Sequence, residues 1–339
     1  MGFFGRSGLP AFALFAALAV LAATAFFAWA GLQGQKPETA GQLQATPAGL
    51  ERAQVLQAGS QQNGGNGDGA QNSLSQPPLP AEAAGKWDWL YEEIAPAGGV
   101  TLDAKWGDAG PRLVSSGALN YSLFAASMRR SGRPLSKEQE KILLEGSQDN
   151  ITISRENRLF TLNLLWALGL ANNNTILTRG PLSNTPSVGI ERFASTGGWS
   201  LGSRNPVEIV SSTNIINLTK EQQDIVERVA KETYRPCCNN PTAFPDCNHG
   251  MAALGLAELL ASQNASEEQV LAAVLQANSY WFPQAYADIA EHFKENGIAW
   301  KDVRPGVALA ANYSSASGHA SVSRQLKERP ALRPEATAC

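Results

Sequence analysis

From Leu9 to Leu32 the chain carries no charged side chain, and the run Ala11-Phe-Ala-Leu-Phe-Ala-Ala-Leu-Ala-Val is apolar throughout. As a helix rising ~1.5 Å per residue this stretch reaches ~36 Å, enough to cross a hydrocarbon core of ~30 Å with some tilt. Arg6 and the amino terminus precede it, whereas the next charge, Lys36, comes well after. With positive charge kept on the cytoplasmic side, the rest of the chain is expected outside, in a periplasm or at the cell exterior. Ala28-Trp-Ala30 before Gly31 also fits a small-x-small cleavage pattern. Secretion after a cut near Ala30 therefore stays open beside an uncleaved transmembrane anchor over residues 1–33. Either reading exports the chain beyond residue 33, and the anchor makes the membrane a partner.

The remaining sequence sorts by composition. Residues 34–85 are Gln, Gly, Ala, Pro and Ser, as in Gln61-Gln-Asn-Gly-Gly-Asn-Gly67 and Gln76-Pro-Pro-Leu-Pro80, and are expected to form a disordered linker. Such a segment buries too little apolar surface to offset its ordering entropy. Residues 86–313 have the apolar content for one globular domain, and the polar residues 314–339 are expected to be a flexible tail. Over the whole chain 30 acidic residues face 27 basic ones, a net charge of −3. That balance excludes a nucleic-acid binder driven by bulk positive charge, and no feature marks a particular protein partner.

Hydrophobic spacing predicts an all-α, multi-helix domain. Ser136 and Thr219 precede runs in which Ile142, Leu143 and Ile225, Val226, Val229, Ala230 fall on one helical face. Thr219 with Gln222, and Ser266 with Gln269, have capping-box spacing. Segments from about Glu156 to Leu170 and His249 to Ala261 are apolar nearly all round, as central helices are, and Gly169 and Gly255 within them permit close helix approach. Ile151-Thr-Ile and Ile209-Val have no alternating partner nearby, so any sheet is expected to be a minor accessory.

A faint internal echo runs through the domain. Leu135-Ser-Lys-Glu-Gln-Glu-Lys-Ile resembles Leu218-Thr-Lys-Glu-Gln-Gln-Asp-Ile, and Trp166-Ala-Leu-Gly-Leu-Ala resembles Ala253-Leu-Gly-Leu-Ala. Upstream, Pro111 with Val114-Ser-Ser matches Pro206 with Val210-Ser-Ser. Two related helical halves and chance likeness between capped helices both account for this. Only the second half carries cysteine.

Those cysteines gather in Arg235-Pro-Cys-Cys-Asn-Asn-Pro-Thr-Ala-Phe-Pro-Asp-Cys-Asn-His-Gly-Met251, a C-C-x8-C-x-H pattern. Cys237, Cys238, Cys247 and His249 form a soft donor set suited to zinc or copper, and three prolines stiffen the loop. The spacing matches neither paired zinc knuckles nor common iron–sulfur arrangements. Residues two apart on a helix point ~200° from each other, so Cys247 and His249 cannot share a metal if both lie inside the helix, and one must precede it. Asn248 as N-cap favours convergence; Asp246 as N-cap disfavours it. Met251 adds a candidate thioether for copper(I), against simple core packing.

Two other readings stay open. A disulfide, for instance Cys238 to Cys247, closes a short loop and contributes about 2.7 kcal/mol, giving a stapled envelope interaction module; Cys339 is a further partner only if the tail folds back. Alternatively Cys247, at a helix start, acts as the thiolate of a thiol oxidoreductase with Cys237 or Cys238 resolving. Binding, sensing and catalysis are all compatible with this donor set.

Elsewhere, Asp288-Ile-Ala-Glu-His292 departs from an inverted zinc-protease motif and reads as a solvated face, and His319 in the tail receives no role. Tyr280-Trp-Phe-Pro and Tyr286 are expected to pack beneath the cysteine loop or to wall a small pocket. The Gly, Ser and Thr-rich stretch from Leu177 to Arg204 is a candidate lid.

Overall fold

Two helices without a polar face must find their partners inside the protein, and here they find each other. In the computed structural model, which describes residues 85–185 and 189–332 together with Gly2, Arg158–Ala171 and Asn248–Ser262 cross at the centre of the domain. Each buries almost its whole length. The crossing is close because both helices place glycine at it. A Cβ on Gly169 would lie 2.1 Å from the Met251 carbonyl oxygen, and one on Gly255 would lie 2.4 Å from that of Leu165. Each glycine thus faces the carbonyl four residues before the other.

The longer helices are α1 (Asp88–Ile94), α2 (Ala109–Ser115), α3 (Tyr121–Arg130), α4 (Lys137–Leu144), α5 (Arg158–Ala171), α6 (Lys220–Glu232), α7 (Asn248–Ser262), α8 (Glu267–Trp281), α9 (Pro283–Glu295) and α10 (Ala316–Gln325). Single helical turns such as Pro206–Ile209 and Ala311–Ser314 link them. Capping boxes open α4, α6 and α8 on Ser136, Thr219 and Ser266, the last two as their spacing predicts. Val226, Val229 and Ala230 form the buried stripe of α6, which packs on α7 beside α8. The echoed segments fall on like elements: α2 and Pro206–Ile209 are short, α4 and α6 are capped and amphipathic, α5 and α7 are buried.

The accessory sheet has two antiparallel strands, β1 (Val100–Gly107) and β2 (Ser147–Ile153). The partner of Ile151-Thr-Ile is far upstream, where Leu102, Ala104 and Trp106 are buried in alternation with Asp103 and Lys105. Ile209-Val is not a strand; Pro206 at the first position starts a helical turn there, capped by the Asn205 side chain.

The expected flexible tail is corrected over residues 314–332. Ser315 caps α10 by accepting from Gly318 N at 3.0 Å, and Gly318 lets the helix lie against the preceding turn, where a Cβ would be 2.0 Å from the Ala311 carbonyl oxygen. Val322 and Leu332 are buried. Polar composition misled here because the helix joins by small-residue contact and by polar groups that reach a buried carboxylate. That carboxylate is Asp288 on α9, fully buried rather than on a solvated face: its Oδ2 accepts from His319 Nε2 at 2.9 Å and Arg329 Nε at 2.8 Å, and its Oδ1 from Gln284 Nε2 at 2.9 Å.

The described residues from 85 onward belong to one compact unit. The apolar stretch Leu9–Leu32, the linker as far as residue 84, and Cys339 lie outside the described residues. Among the described residues no helix is long and apolar enough to cross a membrane.

Candidate metal centre

The cysteine loop is held in place by backbone hydrogen bonds to its neighbours. Thr242 N and Ala243 N donate to Thr233 O and Ala230 O, at 2.8 and 2.7 Å, tying the loop to the end of α6. Ser195 N donates to Asp246 O at 3.1 Å, Ala316 N donates to Cys238 O at 2.9 Å, and Phe193 packs edge-on against Phe244. The segment considered as a lid therefore braces the loop where it is described. Its Trp199 is buried with Nε1 donating to Ala118 O at 2.9 Å, and Ser195 O accepts from Trp166 Nε1 at 2.7 Å.

Cys247 is itself the N-cap of α7. Its backbone is extended (φ −122, ψ 164), and its Sγ accepts from Gly250 N at 3.4 Å, the position usually filled by a serine or aspartate oxygen. Neither Asn248 nor Asp246 is the cap; Asn248 begins the helix and His249 follows in its first turn. Convergence results: Cys237 Sγ, Cys247 Sγ and a ring nitrogen of His249 all lie within 4.8 Å of one another. The two sulfurs are 3.3 Å apart, and the three described cysteines are free thiols, with no disulfide among them.

Cys238 stays beside the other two sulfurs but lies outside the group that contains His249. Its Sγ faces Asp246 Oδ1 at 3.6 Å and Asn240 O at 3.9 Å, so it groups with Asp246 and Cys247 instead. A cation already occupies that second group. The Arg235 guanidinium, only 1% exposed, donates from Nε to Cys247 Sγ at 3.1 Å, from Nη1 to Asn240 O at 2.9 Å, and from Nη2 to Phe244 O at 3.2 Å and to Asp246 Oδ1. Asp246 Oδ2 takes a further bond from Asn240 Nδ2 at 2.7 Å. Gly250 makes room, since a Cβ there would sit 2.4 Å from Arg235 Cζ. Sequence reasoning passed over Arg235, because a charged residue before a proline carries no sign that it will be buried beneath a sulfur.

Electrostatics follow from these contacts. Hydrogen bonds from Cys237 and Cys238, with the Arg235 charge adding to them against burial, hold Cys247 far below the ordinary thiol range. Cys237 is pushed far up by its hydrogen bonds to the other two sulfurs and by burial, and Cys238 is raised to about 11. Burial lowers His249 to about 4, so its imidazole is neutral at physiological pH. The ring packs on Phe282 at 4.3 Å between centroids and near Trp281 at 6.0 Å, which places the aromatic cluster beneath the loop. His249 Nε2 is buried without a hydrogen-bond partner.

Neutral imidazole, a sulfur stabilised as thiolate and an orphaned buried ring nitrogen fit a soft divalent or monovalent metal better than a hard one. Met251 is fully buried in the core, its carbonyl at the crossing with α5, as a packing residue is. His292 lies against Tyr313 and Phe293, away from the cysteines. No family model, no curated protein and no solved structure matches this chain, so the reading rests on the site itself.

Proposed function

We propose that the domain binds zinc or copper through Cys237, Cys247 and His249, with Cys238 as the neighbouring thiol, and that the apolar stretch Leu9–Leu32 tethers it to the outer face of a membrane. The observation that carries the metal reading is the approach of two sulfurs and an imidazole nitrogen to within 4.8 Å, at a half-buried histidine whose buried Nε2 has no hydrogen-bond partner. The export reading is supported by the sequence alone, through the uncharged stretch and the arginine before it.

Three donors leave a fourth position for an outside ligand, the pattern of sites that exchange or activate what they hold rather than merely brace a fold. A zinc or copper ion there would act as a Lewis acid or, as copper, as a one-electron carrier or cargo. The chain's own contribution is to orient. Arg235 and Gly250 fix the Cys247 sulfur, Phe282 fixes the plane of His249, and the Arg235 charge offsets part of the thiolate charge.

Metal analysis of full chain purified anaerobically, without affinity metal, tests the reading. One zinc or copper per chain, lost in Cys247→Ser and His249→Ala but retained in Met251→Leu, is expected. Purified protein that takes up neither zinc(II) nor copper(I) stoichiometrically would overturn it. For the tether, an alkylating reagent that cannot cross membranes should label Cys237 in intact cells; labelling only after lysis would place the domain inside.

A further inference from the structure

Cys237 and Cys247 bring their sulfurs into contact yet differ in access. Cys237 Sγ and Cys247 Sγ stand 3.3 Å apart, whereas two thiolates on one tetrahedral zinc, each at about 2.3 Å, stand about 3.8 Å apart. The loop therefore holds this pair closer than a shared metal requires, and a closure of about 1.3 Å brings them to disulfide bonding distance. Cys237 is exposed at the loop surface. Cys247 sits behind it, fixed by N–H donors from Arg235 at 3.1 Å and Gly250 at 3.4 Å. Cys238 is directed toward Asp246 and Asn240. An incoming molecule thus meets one sulfur first, with a second positioned to follow it.

We infer that, without metal, Cys237 and Cys247 act as a dithiol that exchanges with an external disulfide, Cys237 attacking and Cys247 resolving. In the first step Cys237 passes its proton to the adjacent Cys247 sulfur as it bonds to one sulfur of the substrate R–S–S–R, and the substrate S–S bond breaks with RS− leaving to take a proton from water. In the second, the Cys247 sulfur bonds to that of Cys237, the mixed disulfide breaks, and the Cys247 proton leaves with the second RSH. A protein thiol, a protein thiolate, one disulfide and one proton from water become one protein disulfide and two thiols, so the protein is oxidised by two electrons and the substrate reduced by two. This reverses the assignment made from sequence, in which Cys247 attacks, because the helix start that favours its thiolate also places it behind Cys237. The exchange does not require the metal reading, but one consequence rests on that reading: closing the disulfide removes two of three donors, so oxidation releases the metal.

The test uses the full chain in mild detergent, carrying Cys339→Ser so that only the loop thiols remain. Metal-free protein is equilibrated with mixtures of glutathione and glutathione disulfide, quenched with acid, and mapped by peptide mass spectrometry. A parallel zinc-loaded sample is followed with a chromogenic chelator. We expect one disulfide joining Cys237 to Cys247, retained in Cys238→Ser, and a glutathione adduct trapped on Cys237 in Cys247→Ser. Zinc should appear in proportion to the disulfide. Linkage through Cys238, an adduct on Cys247, or thiols that stay open across the whole series would overturn the inference. Stoichiometric zinc with no Cys237–Cys247 disulfide would leave the metal reading standing alone, and the disulfide without zinc binding would leave the exchange standing alone.

Discussion

Arg235 lies under Cys247, its Nε 3.1 Å from the sulfur, while the same guanidinium pairs with Asp246 and spans two loop carbonyls. One buried cation therefore sets both the shape of the loop and the charge next to a candidate ligand. Removing it leaves Asp246 without its charged partner and takes one donor from each of the Asn240 and Phe244 carbonyls. Arg235→Gln is expected to lower stability by about 3 kcal/mol and to weaken zinc binding about 10-fold to 100-fold, measured by urea unfolding and by competition with a chromogenic chelator. Unchanged zinc affinity in a folded variant would separate the arginine from the site.

The glycine crossing predicts a steep local cost. Gly169→Ala places a methyl 2.1 Å from a backbone carbonyl oxygen, which no rotamer change relieves, so α5 and α7 must separate. A loss of about 2–3 kcal/mol is expected, despite the gain in helix propensity of about 1 kcal/mol. Gly306→Ala is the control, because its Cβ would meet only Leu271 Cδ1 at an ordinary 3.6 Å. Equal urea midpoints for the two variants would refute the close crossing.

Glu258 lies wholly buried on α7, its Oε2 accepting from Asn172 Nδ2 at 3.1 Å and its Oε1 without a partner. Burial raises its carboxyl well above the usual range, with the asparagine bonds only partly opposing. The folded state thus keeps a proton that the unfolded state releases above about pH 4.5. Its contribution to stability is full below that pH and is lost as pH rises toward the folded pKa, with a slope of up to about 1.4 kcal/mol per pH unit. Glu258→Gln should be more stable than the parent at pH 8, with the difference shrinking toward pH 4 in parallel urea titrations. A difference that does not change with pH would contradict a buried neutral carboxyl.

Asp288 ties the last described residues to α9. Asp288→Ala removes the acceptor of His319, Arg329 and Gln284 together and is expected to cost about 2–4 kcal/mol locally. Trypsin should then cut after Arg324 and Lys327 at least ten times faster, while the unfolding of the central helices shifts far less. Unaltered cleavage would mean that α10 is held by its packing alone.

Much of this protein was written in local patterns that need no tertiary knowledge. The central helices α5 and α7, the capping boxes at Thr219 and Ser266, and the crowding of Cys237, Cys238, Cys247 and His249 into one loop all follow from residue spacing, since caps and apolar periodicity act over a single helical turn. Which residues meet across the fold was decided elsewhere. That Gly169 finds Gly255, that β2 pairs with Val100–Gly107, that Asp288 gathers His319 and Arg329, and that Arg235 occupies the place a second cation would take are contacts between distant segments. The choice between Cys238 and Cys237 as partner of Cys247 belongs with them. Adjacent cysteines are equivalent to a spacing rule, and only the path of the chain around the Arg235 side chain turns one sulfur toward His249 and the other toward Asp246.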